Sequence, residues 1–176
     1  GSAKDYETNI KETCEIVKIA HSFGATVEGE IGHVGEAGNM DNNKTDMYTT
    51  PAEAEDYIVQ TGVDACAVAI GTAHGAYKEK PNLDLERLKD IRSVTDTPLV
   101  LHGGSGLSDN DFKNAVKCGI AKINIFTDLC AAGDKAMFEG VDKKLGYLET
   151  RNLKVKYIKE AVKNKILLFG SNNRVD

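Results

Sequence analysis

Residues 65–75 read ACAVAIGTAHG, an almost wholly apolar run that passes directly into a glycine-flanked histidine, His74. Three other stretches have a similar character and are predicted as strands: residues 25–32, 98–103 and 121–126. Near-continuous apolar strands are typical of parallel sheets whose two faces are both covered. The sequence therefore predicts an α/β fold built on a parallel sheet.

Amphipathic stretches separate these strands and predict helices with recognisable ends. One begins at Pro51 behind the N-cap residue Thr50, and Gly62 lies just past its end. Another begins behind Ser108 and ends at Gly119. The remaining predicted helices span residues 6–22, 85–94, 129–144 and 153–164. The order is four consecutive βα units, with one helix in front and an extra helix behind.

Four βα units are compatible with two architectures, a small open doubly wound sheet and half of a (β/α)₈ barrel. No GxGxxG fingerprint follows any predicted strand, which disfavours a dinucleotide-binding open sheet. Polar side chains instead stand at nearly every strand end, as in barrel enzymes: Glu30, His74, His102 and Asn124. We therefore expect residues 1–176 to form a single partial TIM barrel, its C-terminal half, with strands 5–8 and their helices.

Composition narrows the class of protein further. The chain has 176 residues and a net charge of −5, which gives no reason to expect nucleic acid or an anionic membrane as a partner. No apolar run approaches the length of a membrane span, and the polar opening residues do not resemble a signal peptide. The four cysteines include no CxxC pair and are interpreted as reduced core residues of a cytoplasmic protein: Cys14, Cys66, Cys118 and Cys130.

Two histidines at the ends of neighbouring strands are candidate zinc ligands. His74 and His102 occupy equivalent places one βα unit apart, so both rings are expected to reach one point above the sheet. The glycine-rich run after His102, residues 103–106, is a candidate anion nest. The competing interpretations are a histidine that caps a strand by hydrogen bonding and a tight glycine turn.

Carboxylates surround the end of the first strand. Glu28 and Glu30 alternate along it, so they face the same side of the sheet and need a partner or a metal there. Glu36, on the loop that follows, is a candidate general base, whereas His33 is expected to be a solvated loop residue. After the fourth strand, Asn124 and Thr127 are candidate ligand-binding residues. Thr127-Asp128 is equally an ordinary helix N-cap.

In this order and spacing, the motifs GTAHG, LHGGSG and INIFTD resemble the class II ketose-bisphosphate aldolases, along with VEGEIG before them. The likeness runs along the whole chain and is greatest to bacterial fructose- and tagatose-bisphosphate aldolases. It implies a (β/α)₈ barrel with a zinc ion held by three histidines, of which His74 and His102 would be the second and third, and Glu30 near the metal. It also implies that Glu36 moves the substrate proton and that Asn124 binds the enediolate oxygens. The implied site for dihydroxyacetone phosphate lies beside a monovalent cation, Na⁺ or K⁺, and consists of Gly75, Gly103, Gly104, Ser105, Asn124 and Thr127.

The family's first half, with strands one to four and the first zinc histidine, has no counterpart in this sequence. We therefore expect the isolated chain to be weak or inactive, and to require an N-terminal half or self-association. The resemblance also implies a homo-oligomer for the intact family. The sequence does not decide which ketose phosphate is the substrate. Two other functions are also compatible with it: a non-catalytic sugar-phosphate-binding module and a different zinc enzyme such as a hydrolase.

Overall fold

The computed structural model describes residues 2–32, 35–36, 48–74 and 81–174, with only the backbone described at 35, 36, 73 and 74. Six helices and six strands lie within these residues. The helices are α1 Tyr6–Ser22, α2 Pro51–Thr61, α3 Leu85–Val94, α4 Asp109–Lys117, α5 Thr127–Asp142 and α6 Tyr147–Leu168. The strands are β1 Glu28–Ile31, β2 Gly35–Glu36, β3 Ala65–Val68, β4 Ala73–His74, β5 Leu99–Leu101 and β6 Ile120–Ile123.

The main sheet has four strands in the order β1-β3-β5-β6, and every neighbouring pair is parallel. This order follows the chain, with a helix between each pair of successive strands. The α/β fold with a parallel sheet is therefore confirmed. The two-residue strands β2 and β4 pair with each other, also in parallel.

The hydrophobic core lies between the main sheet and the helices. Alternate strand residues belong to it, together with apolar residues of α2, α3 and α4: Ile31, Cys66, Val68, Leu99, Leu101, Tyr57, Leu88, Ile91 and Phe112. The intervening strand positions Glu28, Glu30 and Lys122 point to the opposite face because side chains alternate along a strand. The sheet thus has one apolar face under the helices and one face that carries charged groups.

Helix caps explain why three predicted helices have the observed bounds. Asp5 accepts a hydrogen bond from the Thr8 backbone amide at the start of α1. Thr50 and Glu53 form a capping box before α2, and Gly62 adopts the left-handed conformation after it. Asp84 accepts from the Arg87 amide before α3. Each of these signals is encoded within a few residues of the helix end.

Other predicted boundaries were less accurate. The strands of the main sheet are three or four residues long. Helix α5 begins at Thr127 instead of Leu129, and α6 spans 22 residues. All four cysteines are free, but only Cys66 lies in the core, and Cys130 is exposed. Burial, with the charges of Glu28 and Glu30, raises the pKa of Cys66 to about 12, which keeps its thiol protonated and unreactive.

A polar network packs α1 and α2 against the middle of β1. Gly29 has no side chain, and the Tyr57 ring from α2 occupies the space where a Cβ atom would lie. The hydroxyl of Tyr57 is 3.0 Å from that of Thr13. Asn9 donates from Nδ2 to the backbone carbonyl of Glu30 at 2.9 Å. These contacts fix the backbone on both sides of Glu30.

No helix in the described part of the chain has both the length and the apolar character that a membrane crossing requires.

Candidate functional site

His102 lies between the two carboxylates that β1 presents on the polar face. Its Nδ1 atom is 2.6 Å from Glu30 Oε2, and its Nε2 atom is 3.0 Å from Glu28 Oε1. The side chain is only 14% exposed, and the two glutamates are 24–28% exposed. The expectation that Glu28 and Glu30 share a face and have a partner is therefore confirmed.

The electrostatics of this triad favour a charged imidazole. The hydrogen bond to Glu30 raises the pKa of His102 above its ordinary value, burial opposes the shift, and Glu28 adds to it. Burial also raises the pKa of Glu28, but hydrogen bonds from Lys122 and His102 outweigh it and the net shift is downward. Two ring nitrogens beside two carboxylate oxygens can both donate only when the ring carries both protons.

In the chain without added metal, we expect His102 to titrate above about 6.5, the ordinary value for histidine. Its protonated form then stabilises the fold fully below that value, and this contribution is lost as the pH rises through the folded-state pKa. Titration of the ring by NMR measures it. Glu30→Gln should move the pKa of His102 down, and a wild-type value below 6.5 would contradict the assignment.

Lys122 extends the cluster towards the end of β6. Its Nζ atom is 2.8 Å from Glu28 Oε2 and 2.7 Å from Asn124 Oδ1. The backbone amide of Asn124 donates to the carbonyl of Leu101 at 3.1 Å, which fixes this residue next to the end of β5. The structure thus brings Asn124 into one hydrogen-bonded row with Glu28 and His102.

The glycine-rich segment after β5 is tied to the start of α5. Gly103 and Gly106 have φ values of 66° and 89°, a region in which other residues are strained. Ser105 is buried, and its hydroxyl accepts hydrogen bonds from the backbone amides of Phe126 at 3.3 Å and Asp128 at 3.4 Å. No residue local to α5 caps the helix. Ser105 therefore acts as a cap supplied from another part of the chain.

Two further contacts brace this loop. Asp128 accepts a hydrogen bond from the Gly106 amide at 3.1 Å and forms an ion pair with Lys165 of α6 at 2.7 Å. A Cβ atom on Gly104 would lie 3.1–3.3 Å from side-chain atoms of Ile123, Phe112 and Ile125. A side chain at position 104 would therefore have to displace these neighbours by a few tenths of an ångström. Thr127, the first residue of α5, lies beside the loop in this arrangement.

The remaining predicted residues are described only in part. Glu36 and His74 are Cα partners in the β2–β4 pair, so their backbones lie side by side, although their side chains lie outside the description. Glu36 is in a short strand and not in the loop that the sequence suggested. A two-residue strand has no hydrophobic run that could reveal it. Gly75 and His33 lie outside the described residues.

Sequence reasoning did not identify three residues of the site. Ser2 donates a hydrogen bond from its hydroxyl to Glu30 Oε1 at 2.6 Å. The other two are Lys122, which donates a hydrogen bond to Asn124, and Asp128, which accepts one from the Gly106 amide. The spacing of Lys122 and Asn124, two residues apart on one strand face, was the available signal for the first of these pairs. No local pattern marked Ser2 as a partner of a residue 28 positions away.

The donor types at this site suit zinc, but the described side chains do not by themselves form a metal site. Imidazole and carboxylate are common zinc ligands, and His102, Glu28 and Glu30 supply them. Among the described side chains, no group of three or more His, Cys, Asp or Glu has a geometry that could hold a metal. The hydroxyl of Thr72, two residues before His74, is buried and without a hydrogen-bond partner within the described residues. Such a group costs about 1–3 kcal/mol unless something binds it.

Comparison with known proteins gives consistent results. The sequence profile of the family described as fructose-bisphosphate aldolase class-II matches residues 1–174. YdjI of Escherichia coli K12 is 44% identical over 176 residues, which cover 99% of this chain and 63% of YdjI.

Solved structures agree in fold. The crystal structure of the YdjI aldolase superposes with a TM-score of 0.86 at 40% identity, over 100% of this chain and 60% of that one. A Coccidioides immitis protein, whose assignment as a fructose-1,6-biphosphate aldolase is provisional, gives 0.86 at 28% identity over 98% and 62% of the two chains. The chain thus spans less than two thirds of the length of these relatives.

Proposed function

The chain belongs to the class II fructose-bisphosphate aldolase family, and we propose that it forms the metal- and phosphate-binding side of an aldolase active site. The reaction is the reversible cleavage of a ketose 1,6-bisphosphate, fructose or tagatose, to dihydroxyacetone phosphate and glyceraldehyde 3-phosphate. The observation that carries the proposal is the polar sheet face, where His102 lies between Glu28 and Glu30 next to the glycine loop braced on α5.

We propose that the four-stranded sheet is the second half of a (β/α)₈ barrel. Its strands follow in chain order, helices pack on one face, and charged side chains line the other, as expected inside such a barrel. β1 and β6 are the outer strands of the sheet, and closure would require four more strands. The roughly 40% of each relative that this chain does not cover is long enough to supply them.

The proposed metal is zinc, held by His74 and His102, with Glu30 as an alternative carboxylate ligand. A bound zinc ion supplies Lewis-acid polarisation of the ketose carbonyl. Catalytic zinc sites use three protein ligands, so a further ligand is expected from the segment of the relatives that this chain does not cover. For His102 to bind through nitrogen, the proton between that nitrogen and its carboxylate partner must leave, which couples metal binding to proton release.

The chain's own residues would bind and orient the substrate. Backbone amides of Gly75, Gly103 and Gly104, with the hydroxyls of Ser105 and Thr127, would hold a phosphate next to a monovalent cation. Asn124 would hydrogen-bond to the substrate oxygen on which negative charge develops. The Glu36 carboxylate would take and return the substrate proton. Fixing one phosphate would place the reacting carbons within reach of these groups.

Metal removal tests the proposal. In a protein that joins this chain to the segment completing its relatives, we expect a chelator to abolish ketose-bisphosphate cleavage and zinc to restore it. The chain alone should be at least about a thousandfold slower, because removing a ligand forfeits several kcal/mol of charge stabilisation. Zinc content by elemental analysis accompanies the assay. Cleavage that survives complete zinc removal would overturn the metal mechanism, and tight phosphate binding without any cleavage would favour a binding module.

A further inference from the structure

Lys122 and Asn124 lie two residues apart at the end of β6, so their side chains project from the same face of the sheet. The ammonium of Lys122 is 2.7 Å from the amide oxygen Oδ1 of Asn124. An ammonium group donates hydrogen bonds and cannot accept them. The amide atom that faces it must therefore be the oxygen, and this chemistry assigns the orientation of the Asn124 amide.

The same ammonium is anchored on its other side. Lys122 Nζ is 2.8 Å from Glu28 Oε2, and the second oxygen of that carboxylate, Oε1, is 3.0 Å from His102 Nε2. The row His102–Glu28–Lys122–Asn124 thus connects the end of β5 to the end of β6 through a carboxylate of β1. In each of these hydrogen bonds at least one of the two groups is charged, and such hydrogen bonds are roughly twice as strong as those between neutral groups.

We infer that Lys122 is a positioning residue that holds the Asn124 amide with its Nδ2 group as the donor to a ligand oxygen. Asn124 is exposed on the polar face, so a ligand can reach it. With Oδ1 bound to the ammonium, the amide offers N–H groups and not an acceptor. The preferred ligand atom is then a carbonyl or anionic oxygen instead of a hydroxyl donor. The inference rests on the proposed function for the identity of that oxygen.

Without Lys122 the amide loses this preference. Rotation about the last torsion of asparagine is broad and roughly two-fold, so the oxygen and the nitrogen can exchange places. An amide turned by 180° presents an acceptor to the ligand oxygen and repels it. Loss of one preorganised donor lowers kcat by about 10²–10³-fold in other enzymes, which sets the upper limit for this effect.

The experiment uses the zinc-loaded protein that joins this chain to the segment completing its relatives, and four variants of it: Lys122→Met, Lys122→Arg, Asn124→Asp and Lys89→Met. Asn124→Asp keeps the shape and gains an ion pair with Lys122, but it replaces the donor by an acceptor. We expect kcat to fall about 10²-fold in Asn124→Asp and about 10-fold in Lys122→Met, with KM changed less than kcat because the donor acts where charge develops. Lys122→Arg should recover part of the loss. Lys89, which pairs with Glu86 on α3, is the matched control and should leave kcat unchanged.

Two readouts separate this inference from the proposed function. Zinc content and the melting temperature should be the same in Asn124→Asp and the wild type. In ¹⁵N spectra of the wild type, the Asn124 side-chain amide protons should shift when dihydroxyacetone phosphate is added, and this shift should shrink in Lys122→Met. A wild type that cleaves no ketose bisphosphate would refute the proposed function, and the NMR comparison would still decide the inference. An unchanged kcat in Lys122→Met, an active Asn124→Asp, or an identical NMR shift in both proteins would overturn it.

Discussion

Replacing His102 by alanine is expected to lower kcat/KM for ketose-bisphosphate cleavage by about 10³-fold or more and to reduce bound zinc. The substitution removes a proposed metal ligand. It also leaves the carboxylates of Glu28 and Glu30 facing the same space without the imidazole that now joins them. Lys122 still pairs with Glu28, but without the imidazole between them the two partly buried carboxylates repel each other more strongly, so the remaining donors would not keep their geometry.

The measurement combines steady-state kinetics with zinc analysis of the protein that joins this chain to the segment completing its relatives. His21→Ala is a suitable control because His21 also binds a carboxylate, that of Asp64, at 2.9 Å. That pair joins the end of α1 to the residue before β3 and lies away from His102 and its two glutamates. We expect His21→Ala to keep kcat/KM within about twofold of the wild type, since exposed ion pairs contribute little. A His102→Ala protein that retains wild-type zinc and activity would refute the assignment of the site.

The parts of the fold that the sequence predicted well are those with local signals. Thr50 with Pro51 marks a helix start within one turn, and the structure has α2 at the predicted position. The predicted range 6–22 also agrees with α1. The position of Glu28 and Glu30 on one face of the sheet followed from strand alternation, a rule that needs no knowledge of tertiary contacts. The residue that meets them, His102, was predictable as a strand-end group.

The features that the sequence did not predict depend on contacts between residues that are distant in the chain. Ser105 caps α5 from 22 positions before it, so the helix begins at Thr127, two residues before the predicted start at Leu129, and the Thr127-Asp128 pair is not its cap. α6 shows no buried residue, and its apolar positions do not form a regular stripe, which explains why its ends were misjudged. Lys122 was overlooked because a lysine in a strand is usually solvated. Its role appears only once Glu28, 94 residues away, is brought beside it.

The Gly29→Ala substitution is expected to reduce the free energy of unfolding by about 3 kcal/mol, the upper part of the range for overpacked cores. A Cβ atom at this position would lie 2.7 Å from the Tyr57 hydroxyl, 2.8 Å from its ring carbon Cε1 and 2.9 Å from Val63 Cγ1. Tyr57 is fully buried, and its hydroxyl contacts Thr13 and Asn9. The ring cannot withdraw without breaking this network, so the strand must shift instead.

Thermal unfolding checks the prediction, with a drop in melting temperature of roughly 6–12 °C for a chain of this size. Gly133→Ala is the matched control because that glycine lies inside α5, where its Cβ would be close only to the flexible end of Lys154, at 3.1 Å, and in ordinary contact with Ile158 Cδ1 at 3.6 Å. There alanine should be neutral or stabilise by up to about 1 kcal/mol, since glycine disfavours helix interiors. Equal melting temperatures for Gly29→Ala and the wild type would show that β1 is not held as described.

The consequence of Gly29→Ala should extend to the site, because Gly29 separates the two glutamates that hold His102. A shift of β1 away from Tyr57 moves Glu28 and Glu30 together towards the polar face. Asn9, which binds the Glu30 carbonyl at 2.9 Å, would lose its partner in the same movement. We therefore expect the zinc affinity of the folded variant to fall by about 10–100-fold, as it does when residues that orient metal ligands are replaced. A destabilised variant with unchanged zinc affinity would mean that the Tyr57 network supports the fold alone and does not position the carboxylates.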